Sequence, residues 1–252
     1  MIIQYAGSVT NYNPSWPQFY QRWLMINSAL GMIFGLAFLF IPSPILMLTI
    51  VTMFIISGLG VLLHGGRRIG PVIGISNTIT SIRSITAVVL MVWLLTLELR
   101  TIDLTDYHFW IMTMVLVFAE LSDLLDGFVA RRIGPTEFGA VWDMENDVAF
   151  SYVLCLLGFF YVGIGPWIMI STLIRHGYIL VFRFQNDPPS CPSRFKWFAK
   201  TVCAFQLVAL ISLFIPILPM AAKIAMNGIS IVTLVISFGW DFMLRRGTAR
   251  TV

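Results

Sequence analysis

Charge is what this 252-residue chain has least of: 11% of its residues are Asp, Glu, Lys or Arg, against 58% that are hydrophobic. Soluble domains carry about 25% charged residues. The deficit excludes an ordinary water-soluble globule and predicts a chain whose solvent is largely lipid. Cysteine is scarce too. Cys155, Cys191 and Cys203 show neither paired nor metal-ligand spacing, which predicts no disulfide framework and no zinc site. His64, His108 and His176 share no ligand spacing either. The first 20 residues are polar and aromatic. They lack the basic start, short apolar core and small-residue site of a cleavable signal peptide. A net charge of +4 does not point to nucleic acid here. In a membrane chain, basic residues set orientation and meet anionic lipid.

What the chain has is apolar runs near 20 residues. Eight are read, at about 23–41, 43–63, 84–99, 109–128, 140–163, 165–183, 201–219 and 222–243. A spanning segment must satisfy its own backbone polar groups, so each is expected to be a helix. The fold class expected is therefore an all-α polytopic membrane bundle of about eight transmembrane helices. Turns are expected at Pro42-Ser43-Pro44, Gly65-Gly66, Gly163-Ile164-Gly165-Pro166 and Pro216-Ile217-Leu218-Pro219. With the amino terminus inside, 14 of the 16 basic residues fall on the inner side and only Arg100 and Lys223 on the outer. The positive-inside rule then predicts both termini in the cytoplasm. Trp16, Trp23, Trp110, Trp167, Trp197 and Trp240 fall near span ends, where interface anchoring explains them. Gly158 and Gly163 are expected to serve close helix packing.

The informative stretch runs from Ser122-Asp123-Leu124-Leu125-Asp126-Gly127-Phe128-Val129-Ala130-Arg131 to Gly139-Ala140-Val141-Trp142-Asp143-Met144-Glu145-Asn146-Asp147. Asp123 and Asp126 are three apart, Asp143 and Asp147 four apart. Both spacings place a carboxylate pair on one helix face. Ionised carboxylates at a membrane helix end are costly without a partner. Four converging acids point to hard divalent ions such as Mg²⁺ or Mn²⁺, which take oxygen ligands. Two such ions would suit in-line displacement at phosphorus. Gly127 allows close approach of a ligand to backbone. Ala130 and Gly139 keep neighbouring turns open, and Arg131 offers a planar donor fork to phosphate.

This pattern resembles the CDP-alcohol phosphatidyltransferase family. The family signature is D-x-x-D-G-x-x-A-R, about eight residues, then G-x-x-x-D-x-x-x-D. Asp123, Asp126, Gly127, Ala130, Arg131, Gly139, Asp143 and Asp147 match every fixed position; the spacer from Arg132 to Phe138 is seven residues. Ser76-Asn77-Thr78-Ile79-Thr80-Ser81-Ile82-Arg83 resembles the family's N-x-x-T-x-x-R segment, and Lys196 with Lys200-Thr201 resembles its K-x-x-x-K-T entry. The resemblance covers residues from about 72 to 252. It divides the chain into an amino-terminal transmembrane hairpin of unassigned role, 1–70, and a six-helix core, 71–252.

The resemblance implies transfer of a phosphatidyl group from a CDP-alcohol, CDP-diacylglycerol foremost, to an acceptor alcohol with release of CMP, in phospholipid biosynthesis. It implies Asp123, Asp126 and Asp143 as ligands of Mg²⁺ or Mn²⁺, with two ions bound. Asp147 is implied as general base that also approaches the second ion. Gly127, Ala130 and Arg131 would contact the CDP group, with Thr136, Asn77 and Thr80 completing its pocket. It further implies a homodimer and an active site facing the cytoplasm. Family acceptors are glycerol 3-phosphate, inositol or its phosphate, serine, phosphatidylglycerol or diacylglycerol. Arg175, Arg183, Arg194, Lys196 and Lys200 cluster at the expected inner face, where they meet either a phosphorylated acceptor or anionic lipid. Glu120 reads either as a partner of the metal ligands or as a packed polar group. His176 reads either as a substrate contact or as an interfacial packing residue. The rival from another class is a divalent-cation transporter or channel, in which membrane carboxylates line an ion path. Such a path needs acids near mid-bilayer, whereas these lie at one end beside Arg131 and Arg132.

Overall fold

The three-dimensional structure is a computed structural model, and it describes residues 18–41, 43–60, 85–86, 88–94, 96, 103–133, 137–182 and 193–248. All regular structure among these residues is helical. The first hairpin is α1, Gln18–Phe40, and α2, Pro44–Gly60. Pro44 opens α2, where its missing N–H would have had no helical partner anyway. Residues 88–94 are helical. Next comes α3, Asp106–Ile133. Its start is capped: the Thr105 N–H donates to His108 Nδ1 at 3.1 Å, a reach-back of the capping-box kind. That gives His108 a local structural role.

Glu137–Leu157 forms α4. A π-helical turn, Gly158–Val162, continues it, and a 3₁₀ turn, Pro166–Met169, leads into α5, Ile170–Phe182. The expected packing role of Gly158 is seen: a Cβ there would lie 2.7 Å from Leu213 Cδ1. The same expectation for Gly163 is corrected. Nothing lies within 4 Å of a Cβ at that position, and its φ of 77° shows that it ends the helix in the left-handed region. The last pair is α6, Ser193–Ser212, and α7, Met220–Thr248. The expected segment 201–219 is displaced, because α6 starts earlier and stops at Ser212. Pro216 and Pro219 cannot continue a helix, and residues 213–215 close instead through bonds such as Phe214 N–H to Ile211 O at 3.0 Å.

Helix α4 is the hub. Tyr152, Leu154, Cys155, Leu156 and Leu157 are all buried, as expected of a helix surrounded on every side. The helices α2, α5 and α6 pack on it. Helix α1 packs along α5, and α6 along α7. Helix α3 packs on α6, and Thr113 Oγ1 donates to Phe214 O at 2.8 Å beside it.

The sides of α7 differ sharply. Lys223, Asn227, Ser230, Leu234, Ser237 and Asp241 are buried, while Ile224, Ile229, Val232, Val235, Ile236 and Met243 are exposed. Buried spacings of four and three keep the first set on one stripe. Asn227 Nδ2 donates across the seam to Ala209 O at 2.9 Å, the polar glue expected between membrane helices. Lys223, assigned to the outer side near the start of the segment 222–243, lies buried in the first turn of α7. Among the described residues two stretches are long and apolar enough to cross a bilayer, Glu145–Val162 and Met220–Leu244; Met25–Phe40 and Trp197–Ser212 are apolar but shorter. Trp110, Trp197 and Trp240 are exposed, in keeping with interface anchoring.

Candidate active site

One long helix carries the first half of the motif. Asp123, Asp126, Gly127, Ala130 and Arg131 all lie in α3, and Gly139, Asp143 and Asp147 lie in α4. Three residues, 134–136, join the two helices. Such a link cannot hold Ile133 and Glu137 more than about 14 Å apart. Depth along each helix can be counted from that link. Asp126 is seven residues before Ile133 and Asp143 six after Glu137, while Asp123 and Asp147 are each ten away. At 1.5 Å per residue the pairs fall at matching depths, about 10 Å and about 15 Å from the helix ends.

Asp143 is half-buried and Asp147 is 5% exposed. They share a face, one turn apart. Their neighbours hold the backbone between them: Asn146 Nδ2 donates to Trp142 O at 2.7 Å, and Ser151 Oγ donates to Asp147 O at 2.8 Å. Buried carboxylates are a donor set that suits a hard divalent cation. Among the described residues no group of three or more His, Cys, Asp or Glu side chains assembles a metal site. Thr136, Asn77 and Thr80 lie outside the described residues.

The other expected site residues are distributed as follows. Arg175 is half-buried on α5, Lys200 is exposed on α6, Arg194 and Lys196 belong to the first turn of α6, and Arg183 lies outside the described residues. Glu120 is half-buried on α3. The interfacial role expected of His176 is corrected: it is 3% exposed, with its ring 5.3 Å from that of Tyr152. Helix α5 turns it into the bundle against α1 rather than toward the membrane surface.

One polar pair was not foreseen. Tyr178 on α5 donates its hydroxyl to Asp241 Oδ2 on α7, and the Tyr178 ring lies 4.6 Å from that of Phe238. A signal for Asp241 was present, since it continues the spacing 223, 227, 230, 234, 237. Tyr178→Phe removes a donor from a buried carboxylate. It is expected to lower stability by about 1.5–3 kcal/mol, measured as thermal unfolding in detergent; an unchanged unfolding curve would show that the pair contributes nothing.

No curated protein and no solved structure matches the chain. A family model does: that of the CDP-alcohol phosphatidyltransferases matches residues 73–238, a range that includes all of α3 and α4. Because that match covers most of the sequence and contains both halves of the aspartate motif, the chain belongs to the CDP-alcohol phosphatidyltransferase family, membrane enzymes that transfer a substituted phosphate from a CDP-alcohol and release CMP.

Proposed function

We propose that this chain transfers a phosphatidyl group from CDP-diacylglycerol to an acceptor alcohol, with Asp147 taking the proton from the acceptor hydroxyl. The observation that carries the reading is the depth match along α3 and α4, within the region that the family model covers. An antiparallel pair of helices would bring Asp123 level with Asp147 and Asp126 level with Asp143. The family uses a divalent metal. Asp123, Asp126 and Asp143, with Asp147 beside them, are the residues proposed to hold two ions, Mg²⁺ or Mn²⁺. Bound there, the metal would supply positive charge against the pyrophosphate.

The chain's own residues do the rest. Asp147 accepts the hydroxyl proton as the acceptor oxygen attacks the phosphorus that carries the lipid, and the bond from that phosphorus to the CMP oxygen breaks. Its burial suits a base working where water is excluded. Gly127 and Ala130 leave α3 uncrowded for the cytidine diphosphate, and Arg131 donates to its phosphates. Asn77, Thr80 and Thr136 are proposed to complete that pocket. Arg175 and Lys200 are proposed to draw a phosphorylated acceptor.

The spanning arrangement proposed is eight helices with both termini and the site in the cytoplasm. The helices α1 to α7, together with the helical residues between 85 and 96, each overlap one of the eight apolar runs, α6 with a shift toward the amino terminus. We also propose a homodimer, as the family resemblance implies. The test of function is CMP release from CDP-diacylglycerol by membranes containing the protein, with Mg²⁺ or Mn²⁺. Glycerol 3-phosphate, inositol phosphate and serine are supplied in turn. One of them is expected to give CMP and a new phospholipid in equal amounts. No CMP with any acceptor or donor would defeat the reading.

A further inference from the structure

We infer that the amino-terminal hairpin, outside the region matched by the family, is a positioning element of the reaction centre: α1 and α2 grip α4 on both sides of Asp143 and Asp147. This rests on the reading of those aspartates given above. Beyond Asp147, the grip is at Tyr152, five residues on and about 7.5 Å along the same helix. Tyr152 Oη donates to the Gly31 carbonyl of α1 at 2.8 Å. Its ring lies 4.9 Å from that of Phe54 on α2. Before Asp143, the grip is at its neighbour Trp142, which is buried, with its ring edge 3.8 Å from where a Cβ of Gly58 on α2 would be.

Small residues make this approach possible. Gly31 and Gly35 are four apart and form a groove of the small-xxx-small kind. A Cβ at Gly31 would meet His176 Nε2 at 2.8 Å. A Cβ at Gly35 would meet Leu173 Cδ2 at 2.6 Å and Tyr152 Oη at 2.9 Å. The groove thus seats α5 and the tyrosine of α4 together. Among the described residues His176 has no hydrogen-bond partner at either ring nitrogen, so its close fit to Gly31 is one of shape. A rigid helix held on both sides of two carboxylates cannot slide or rotate at them. Reacting groups displaced by about 1 Å lose rate steeply.

The experiment uses the full chain in detergent, with Mn²⁺ binding read by electron paramagnetic resonance beside CMP release and thermal unfolding. Tyr152→Phe keeps the ring contacts and deletes only the hydroxyl. It is expected to weaken Mn²⁺ binding about fivefold, the equivalent of one hydrogen bond, with the unfolding temperature within about 4 °C of the parent. Gly31→Leu, which wedges α1 away, is expected to weaken binding at least about tenfold. Gly228→Leu, where a Cβ meets nothing within 4 Å, is the control and should bind as the parent does. Folded Tyr152→Phe protein with parental Mn²⁺ affinity and turnover would overturn the inference, and this variant decides the matter if Gly31→Leu does not fold. Should the parent bind Mn²⁺ yet release no CMP, the transferase reading fails while the Mn²⁺ shift still judges the grip.

Discussion

Asp147→Asn is expected to lower CMP release by about 10²–10⁴-fold, the range for loss of a general base, while the helices stay folded. Asparagine has nearly the shape of aspartate but cannot take the proton. Asp147 is 5% exposed, so bulk water has little access to replace the lost base. Two backbone contacts around the residue survive the change. Ser151 bonds to the backbone carbonyl of Asp147, not to its carboxylate, and Asn146 bonds to Trp142 O. Neither contact depends on the charge. Turnover in membranes and thermal unfolding of the purified variant check both halves; parental turnover would remove Asp147 as the base.

Chelation is expected to have an effect of similar size. Treating the membranes with EDTA should bring CMP release to background, and added Mg²⁺ or Mn²⁺ should restore it. Asp143→Asn should then raise the ion concentration needed for half-maximal rate by at least about tenfold, since affinity follows the charge count of the ligands. Full activity in EDTA would exclude a metal-dependent reaction. An unchanged ion requirement in Asp143→Asn would remove that residue from the ligand set.

The residues that spell out local patterns were legible from the sequence. Asp143 and Asp147 fall in one helix because their spacing of four and the surrounding apolar positions share a helical period. The ranges of α1 and α2 were within a few residues of the apolar runs, as Pro44 marks the boundary between them. The limits of α6 were not. An apolar count extends through Leu213 and Phe214, which are buried but lie in turns set by Pro216 and Pro219. Apolar content records burial, and here burial and helicity part company.

Long-range contacts were illegible for another reason. Tyr152 and Gly31 are 121 residues apart, and nothing local in either announces the other. The glycine pair of α1 stands plainly in the sequence, but a groove does not name what fills it. Asp241 was passed over because it lies in a run read for its apolar members. Its burial against Tyr178 follows from the face that α7 turns inward. The family model matches residues 73–238, so it is silent on the hairpin that packs against α4.

The two-sided character of α7 has a practical consequence. Its polar stripe, from Lys223 to Asp241, is buried against protein, whereas its aliphatic edge, from Ile224 to Met243, has only the surroundings to cover it. Stripped of lipid or detergent, that edge becomes a sticky strip of the kind that drives association between molecules. Loss of amphiphile should therefore cause clumping of folded protein before it causes unraveling, because the interior seam would still be intact when the outside is already exposed.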